Sequence, residues 1–203
     1  MDGVIIDSEL IHVMAENYVL NKYGIFPTEA DWQSFKGKTS LGIFSQMITE
    51  HDLCDVSAEY MTEEKIDKFL EMILVADINL YGGFIGLVND LGAKYDIALA
   101  TSSHSRIQNA IFDRFDLHKH FSTIVTGDMV TKGKPDPEPY ILAAGKMGLP
   151  IGACTVIEDS INGILSAKVA GANVIAVTHT FPREQLFQAD HIVDSLRAIQ
   201  DIL

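Results

Sequence analysis

The sequence predicts an α/β protein in which a parallel sheet flanked by helices is interrupted early by an all-helical insert. Three observations predict it. Residues 10–79 carry apolar side chains at helical spacing and contain no convincing strand. Beyond residue 83, short β-rich runs alternate with helical stretches, the order that builds parallel sheets through crossover connections. Polar stretches such as Thr101–Ser103 and Glu158–Ser160 fall at the carboxyl ends of those runs, where such sheets collect their chemistry.

Ser8 to about Tyr23 reads as a helix, because Leu10, Ile11, Met14, Tyr18 and Val19 recur at three- and four-residue spacing and Gly24 supplies a left-handed stop. Thr28 caps a short helix through Phe35, ahead of Gly37, and a third helix runs from Ser40 to near His51. Ser57 caps a fourth, reaching about Ala76 with Tyr60, Met61, Phe69, Met72 and Ile73 on or near one face. Past Asn79–Gly83 the expected order is helix 84–93, strand 97–100, helix 105–115, strand 123–126 and helix 138–147. Strand 155–157, helix 161–170, strand 174–177 and a last strand 192–193 follow. Residues 1–9 and 80–203 thus form a Rossmann-like core, and residues 10–79 form the helical insert. The two hinges fall near Asp7–Leu10 and Asn79–Gly83.

Composition narrows the partners. A net charge of −13 over 203 residues argues against a phosphate backbone or an anionic membrane as partner, since either needs a basic face. The longest strongly apolar run, Met72–Ala76, is far too short to span a bilayer, and the first residues lack the regions of a signal peptide. Cys54 and Cys154 show no metal spacing and read as buried, reduced thiols, which predicts a cytoplasmic protein.

Four stretches carry chemistry. Asp2-Gly3 suggests a bent backbone that brings a carboxylate and nearby amides to one point. Thr101, Ser102 and Ser103 offer hydroxyls and amides between a strand and a helix, suited to a phosphate, though serines there also simply cap helices. Lys134, held before Pro135-Asp136-Pro137, makes a fixed positive charge, with Lys132 as the nearby alternative. Glu158 and Asp159 are adjacent carboxylates at a strand end. They are costly there unless a cation such as Mg²⁺ compensates them, or they serve the start of a helix before Ser160. Gly37-Lys38-Thr39 looks like the end of a P-loop, but Trp32 stands where its first glycine belongs and no strand precedes it.

Together these stretches resemble the haloacid dehalogenase superfamily, in its phosphatase and β-phosphoglucomutase-like branch, whose first motif reads Asp-x-Asp-Gly-Val-(Ile/Leu)-x-Asp-Ser. The resemblance spans the chain. It implies a helical cap closing over the core and Mg²⁺-dependent hydrolysis of a small phosphorylated metabolite, such as a sugar phosphate, through an aspartyl-phosphate. By this resemblance Asp2 protonates the leaving oxygen, later activates water, and lends its backbone carbonyl to the metal. Thr101, Ser102 and Lys134 hold the phosphate, with Ser103 and His104 further along the same loop. Glu158 and Asp159 complete the metal site, and Lys36, Lys38 and Thr39 contact substrate from the cap. Ser40 stands about where the mutase-like members place an arginine, which favours a phosphatase. The alternatives are a phosphosugar mutase and a noncatalytic phosphometabolite-binding relative.

The resemblance places the nucleophilic aspartate, and the strand leading to it, immediately before Met1. The leading expectation is a longer natural protein in which Met1 is internal; the others are a noncatalytic relative and a fragment that folds with another chain. As written, Met1–Leu203 is expected not to form an aspartyl-phosphate at the usual place.

Overall fold

Residues 9–73 fold into four helices. The computed structural model describes residues 1–203. Helix α1 (Glu9–Lys22) buries Ile11, Ala15, Val19 and Leu20 and ends before Gly24, whose φ of 72° is the left-handed stop. Two apolar stripes run along α1 one residue apart. The stripe centred on the small Ala15 packs against the neighbouring helix, so Leu10, Met14 and Tyr18 lie on the exposed flank. Helix α2 (Glu29–Phe35) begins with a capping box between Thr28 and Asp31. Thr39 caps α3 (Ser40–Glu50), and Ser57 caps α4 (Ala58–Ile73), on which Tyr60 is exposed although the apolar pattern had placed it on the inner face.

This block has its own core of Val19, Leu20, Ile25, Phe35, Ile43, Phe44, Met47, Ala58 and Met61. Ile11 and Ala15 of α1, with Ile66, Phe69 and Ile73 of α4, instead share a larger core with the α/β part. The two connecting segments run antiparallel: Ile6 bridges Leu80, and the Tyr81 amide donates to the Ile5 carbonyl at 2.9 Å. Residues 1–6 curl into a turn in which Met1 O accepts from the amides of Val4, Ile5 and Ile6, so Val4-Ile5-Ile6 is not a strand.

From residue 84 the predicted alternation holds. The order is α5 (Phe84–Gly92), β1 (Ala98–Ala100), α6 (Ser105–Phe115), β2 (Thr123–Val125) and α7 (Glu138–Met147). Then come β3 (Thr155–Glu158), α8 (Ile161–Ala170), β4 (Asn173–Val177) and β5 (His191–Val193). All pairings are parallel. β1 pairs with β2, Leu99 opposite Ile124; β3 pairs with β4, Ile157 opposite Ile175; and β4 pairs with β5, Ala176 opposite Ile192. The two sheets flank an apolar groove of about 460 Å³, walled by residues 97–100 on one side and 155–158 on the other, with Met1, Val4 and Ile5 among the rest of its lining. Burial of the thiols is not observed: Cys54 is exposed and Cys154 half-buried, both unpaired.

Candidate active site

A pocket of about 120 Å³ lies between the helical block and the carboxyl ends of β1 and β3. It gathers Asp2, Thr101, Ser102, Lys134, Glu158 and Asp159 from separate stretches of chain, together with Lys36 and Lys38 from the helical side. Thr39 is not part of its wall. Its hydroxyl caps α3 through the Gly42 amide at 3.1 Å and its methyl rests against Gly133 and Gly127, so the expected substrate contact is replaced by a structural role.

Asp2 is held from three directions. Ser8 Oγ donates to Oδ1, Ser103 Oγ donates to Oδ2 at 2.7 Å, and His12 Nε2 lies 3.1 Å from Oδ1. Behind His12, Lys65 Nζ approaches Nδ1 at 2.8 Å and Glu16 at 3.6 Å. A lysine ammonium has no acceptor, so Nδ1 accepts from Lys65 and Nε2–H donates to Asp2. Burial works against an ionised Asp2. The His12 ring and the Ser8 hydroxyl beside it prevail and hold the carboxyl well below the usual carboxylate range. Ser8 is spent on Asp2, so α1 starts without a side-chain cap bond.

Gly3 makes this approach possible. Its φ is 71°, and a Cβ there would collide with the Asp159 carboxylate. Asp159 also accepts from Thr180 Oγ. Burial, and then the charge of Glu158, push the Asp159 carboxyl up to about 7, while Thr180 opposes the shift. That is an excess of buried negative charge. A buried carboxylate in that position suits a hard divalent cation.

Glu158 behaves differently from its neighbour. Oε1 accepts from Lys134 Nζ and from the Tyr140 hydroxyl at 2.6 Å; Oε2 accepts from the Asp159 amide at 2.9 Å and from the Ser160 amide and hydroxyl at 3.0 Å. Burial opposes its ionisation, but the Lys134 ammonium dominates and brings the carboxyl down to about 2. Both oxygens are saturated by protein donors, so in this structure the expected metal ligand serves as the partner of Lys134 and the start of α8. Lys134 is itself buried, reaches Ala100 O at 3.4 Å and lies 4.9 Å over the Tyr140 ring.

Thr101 is buried and its Oγ accepts from the Ser103 amide at 3.1 Å, leaving the hydroxyl proton for a ligand. Ser102 Oγ donates instead to Gly37 O at 2.8 Å, tying the pocket loop to the helical block, so its hydroxyl is not turned to a phosphate. Asn162 Nδ2 adds a second tie, to Lys36 O at 2.7 Å. His104 is no wall residue; its ring caps α6 through the Arg106 amide at 3.2 Å. Lys38 bonds Gln46 at 2.9 Å, and Lys36 lies 4.8 Å over Phe181.

Sequence reasoning passed over His12, Lys65, Glu9, Glu16, Tyr140 and Thr180. Lys65 left a signal: it interrupts an apolar stripe, four residues from Met61 and four from Phe69. A lysine is almost never fully buried unless paired.

Residues 1–177 match the family model of the haloacid dehalogenase-like hydrolases. The chain belongs to that family. It is 31% identical over 184 residues to a phosphorylated carbohydrates phosphatase of Thermotoga maritima, covering 89% of this chain and 83% of that protein. It is 29% identical over 177 residues to the fructose-1-phosphate phosphatase YqaB of Escherichia coli, covering 87% and 93%. The fold matches the crystal structure of CbbY from Rhodobacter sphaeroides in complex with phosphate, with a TM-score of 0.86 at 24% identity over 97% of this chain and 92% of that one. The chain is accordingly a haloacid dehalogenase-like phosphohydrolase, and its α/β architecture is that of the family.

Proposed function

We propose that this hydrolase cleaves the phosphate monoester of a small phosphorylated metabolite, such as a sugar phosphate, with Mg²⁺ in the site and through an aspartyl-phosphate. The observation that carries the proposal is the convergence of Asp2, Thr101, Lys134 and Asp159 on one pocket. Lys134, ion-paired with Glu158, and the Thr101 hydroxyl bind phosphoryl oxygens. Asp2 exchanges the proton: the leaving oxygen receives one on phosphoryl transfer, and the attacking water later returns one to the carboxylate. The His12 Nε2–H, 3.1 Å from Oδ1, orients Asp2 for both transfers and stabilises the carboxylate left after the first. Asp159 and the Asp2 backbone carbonyl would hold the cation, which when bound offsets charge on the phosphoryl group. The helical block acts as a cap, tied shut by Ser102 and Asn162 and carrying Lys36 and Lys38 to the substrate.

The nucleophile in this reading is an aspartate joined to Met1. The Met1 nitrogen lies within Coulomb reach of Asp2, Lys134, Glu158 and Asp159, and the apolar groove beside it suits a short strand between β1 and β3. No arginine lines the pocket, and Ser40 does, which favours a phosphatase over a mutase acting on a bisphosphate. A cytoplasmic location fits a small metabolite as substrate, and no helix is long and apolar enough to cross a membrane.

The test is phosphate release by the protein purified from its natural source, after its intact mass is measured. The expected result is a mass above 22.3 kDa and turnover of sugar phosphates that EDTA and Asp159→Asn both abolish. Turnover indifferent to both would overturn the mechanism, and no turnover of any monoester would overturn the function.

A further inference from the structure

The first turn carries two groups of the mechanism, the Asp2 carboxylate and the Asp2 backbone carbonyl, on a chain that pivots at Gly3. Side-chain bonds from Ser8, His12 and Ser103 hold the carboxylate. The backbone is harder to hold, because Gly3 has no side chain and sits at a φ of 71°. A peptide is a rigid plane whose N–H and C=O point opposite ways, so a hydrogen bond to either group orients both. The Gly3 amide donates to Ile6 O at 3.0 Å and the Val4 amide to Met1 O at 3.3 Å, both within the turn itself. One bond reaches these two peptides from outside residues 1–6: His179 Nδ1 lies 2.9 Å from Gly3 O. A carbonyl only accepts, so Nδ1 carries the proton and donates it.

The imidazole is itself fixed. It stands in the loop after β4 between two anchored threonines: Thr178 Oγ donates to Asp194 Oδ1 at 3.0 Å, and Thr180 Oγ donates to Asp159. Its ring lies nearly flat on Tyr81, with centroids 3.9 Å apart and planes 13° apart. Tyr81 comes from the segment joining α4 to α5, and its own amide is bonded to Ile5 O. Stacking sets the plane of the imidazole, and with it the direction of the Nδ1–H. Neither ring lines the pocket, so both act on the chemistry only through the turn.

We propose that His179, stacked on Tyr81, is a positioning residue for phosphoryl transfer: through Gly3 O it fixes the first turn, keeping the Asp2 carboxylate aligned for proton exchange and the Asp2 carbonyl in place for the cation. The inference rests on the phosphatase reading above and deepens it. Loss of the bond frees Gly3 to rotate and misplaces the reacting carboxylate without touching a phosphate ligand. The cost therefore falls on kcat rather than on KM.

The experiment uses the natural-length protein, His179→Ala, His179→Asn and Tyr81→Leu. It measures kcat and KM for p-nitrophenyl phosphate and sorbitol 6-phosphate, and the Mg²⁺ concentration that gives half of the metal-induced rise in melting temperature. His179→Ala is expected to lower kcat about tenfold or more with KM within about threefold, and to raise the Mg²⁺ midpoint several-fold. His179→Asn keeps an N–H close to where the Nδ1–H stood and is expected to recover most of both losses. Tyr81→Leu leaves the imidazole unstacked and is expected to show part of them. A His179→Ala protein within about twofold of wild type in kcat and in Mg²⁺ midpoint would overturn the proposal alone. So would an asparagine variant no better than the alanine one at equal melting temperature, or a loss confined to KM, which would assign His179 to substrate binding. A wild type inactive on every monoester would overturn the phosphatase reading and the proposal with it. Melts in EDTA, expected within a few degrees of wild type for His179→Asn and Tyr81→Leu, separate these outcomes from misfolding.

Discussion

At the scale of single residues, the site works by giving each buried charge a partner of stated chemistry. Lys134 depends on Glu158, and Glu158→Gln would leave a buried ammonium without its counter-charge. The expected cost is about 3–5 kcal/mol in urea denaturation, against about 1 kcal/mol for Tyr140→Phe, which removes one neutral donor. Similar losses for the two would mean that Lys134 is hydrated. The Asp2–His12–Lys65 chain has a different purpose. Lys65 also pairs with the buried Glu16, so Lys65→Met should cost about 3–5 kcal/mol, and in the folded variant kcat should fall on the order of tenfold or more, because His12 loses the donor that fixes its tautomer. Unchanged turnover in a folded Lys65→Met protein would remove His12 from the mechanism.

At the scale of elements, two short ties decide how the helical block meets the α/β part. Asn162, at the start of α8, bonds the Lys36 carbonyl, and Ser102, after β1, bonds the Gly37 carbonyl. Asn162→Ala removes one tie without touching the phosphate ligands. KM is expected to rise several-fold, kcat to change less, and melting to shift by only a few degrees. A kcat loss at constant KM would contradict the latch. Gly3→Ala acts within the first turn. It forces a side chain into the left-handed region, at about 1–2 kcal/mol, and against Asp159. The variant should lose Mg²⁺-dependent thermal stabilisation even where it folds.

At the scale of the whole molecule, pH and metal are linked through Asp159. Its carboxyl is raised to about 7, so in the metal-free protein its contribution favours folding fully below about 4, its usual value, and is lost as pH rises through about 7. Glu158 acts in the opposite sense: lowered to about 2, it stabilises fully above its usual value and loses that contribution as pH falls towards about 2. Melting temperature in EDTA should therefore decline from pH 5 to pH 8. Mg²⁺ should reverse the decline by replacing the proton on Asp159, and Asp159→Asn should flatten it. A melting temperature independent of pH over that range, with the metal removed, would disprove the linkage.

The sequence by itself determined the order of elements, since helical and strand periodicities and caps such as Thr28 and Ser57 are local properties. The resemblance of its motifs also implied that Asp2, Thr101, Lys134 and Asp159 share a site, and the pocket gathers all four. Only the tertiary structure decided how the polar groups divide their partners. Thr39 caps a helix, Ser102 ties the cap, and Glu158 saturates itself on Lys134, Tyr140 and Ser160, although each looked like a ligand. It also decided that Leu10, Met14 and Tyr18 face outwards and that His12, Lys65 and Glu9 reach the site. The physical reason is range. Helix and strand preferences are set within a few residues, whereas a hydrogen-bond partner or a buried charge is set by contacts such as Lys65–His12, 53 positions apart, that exist only once the chain has packed.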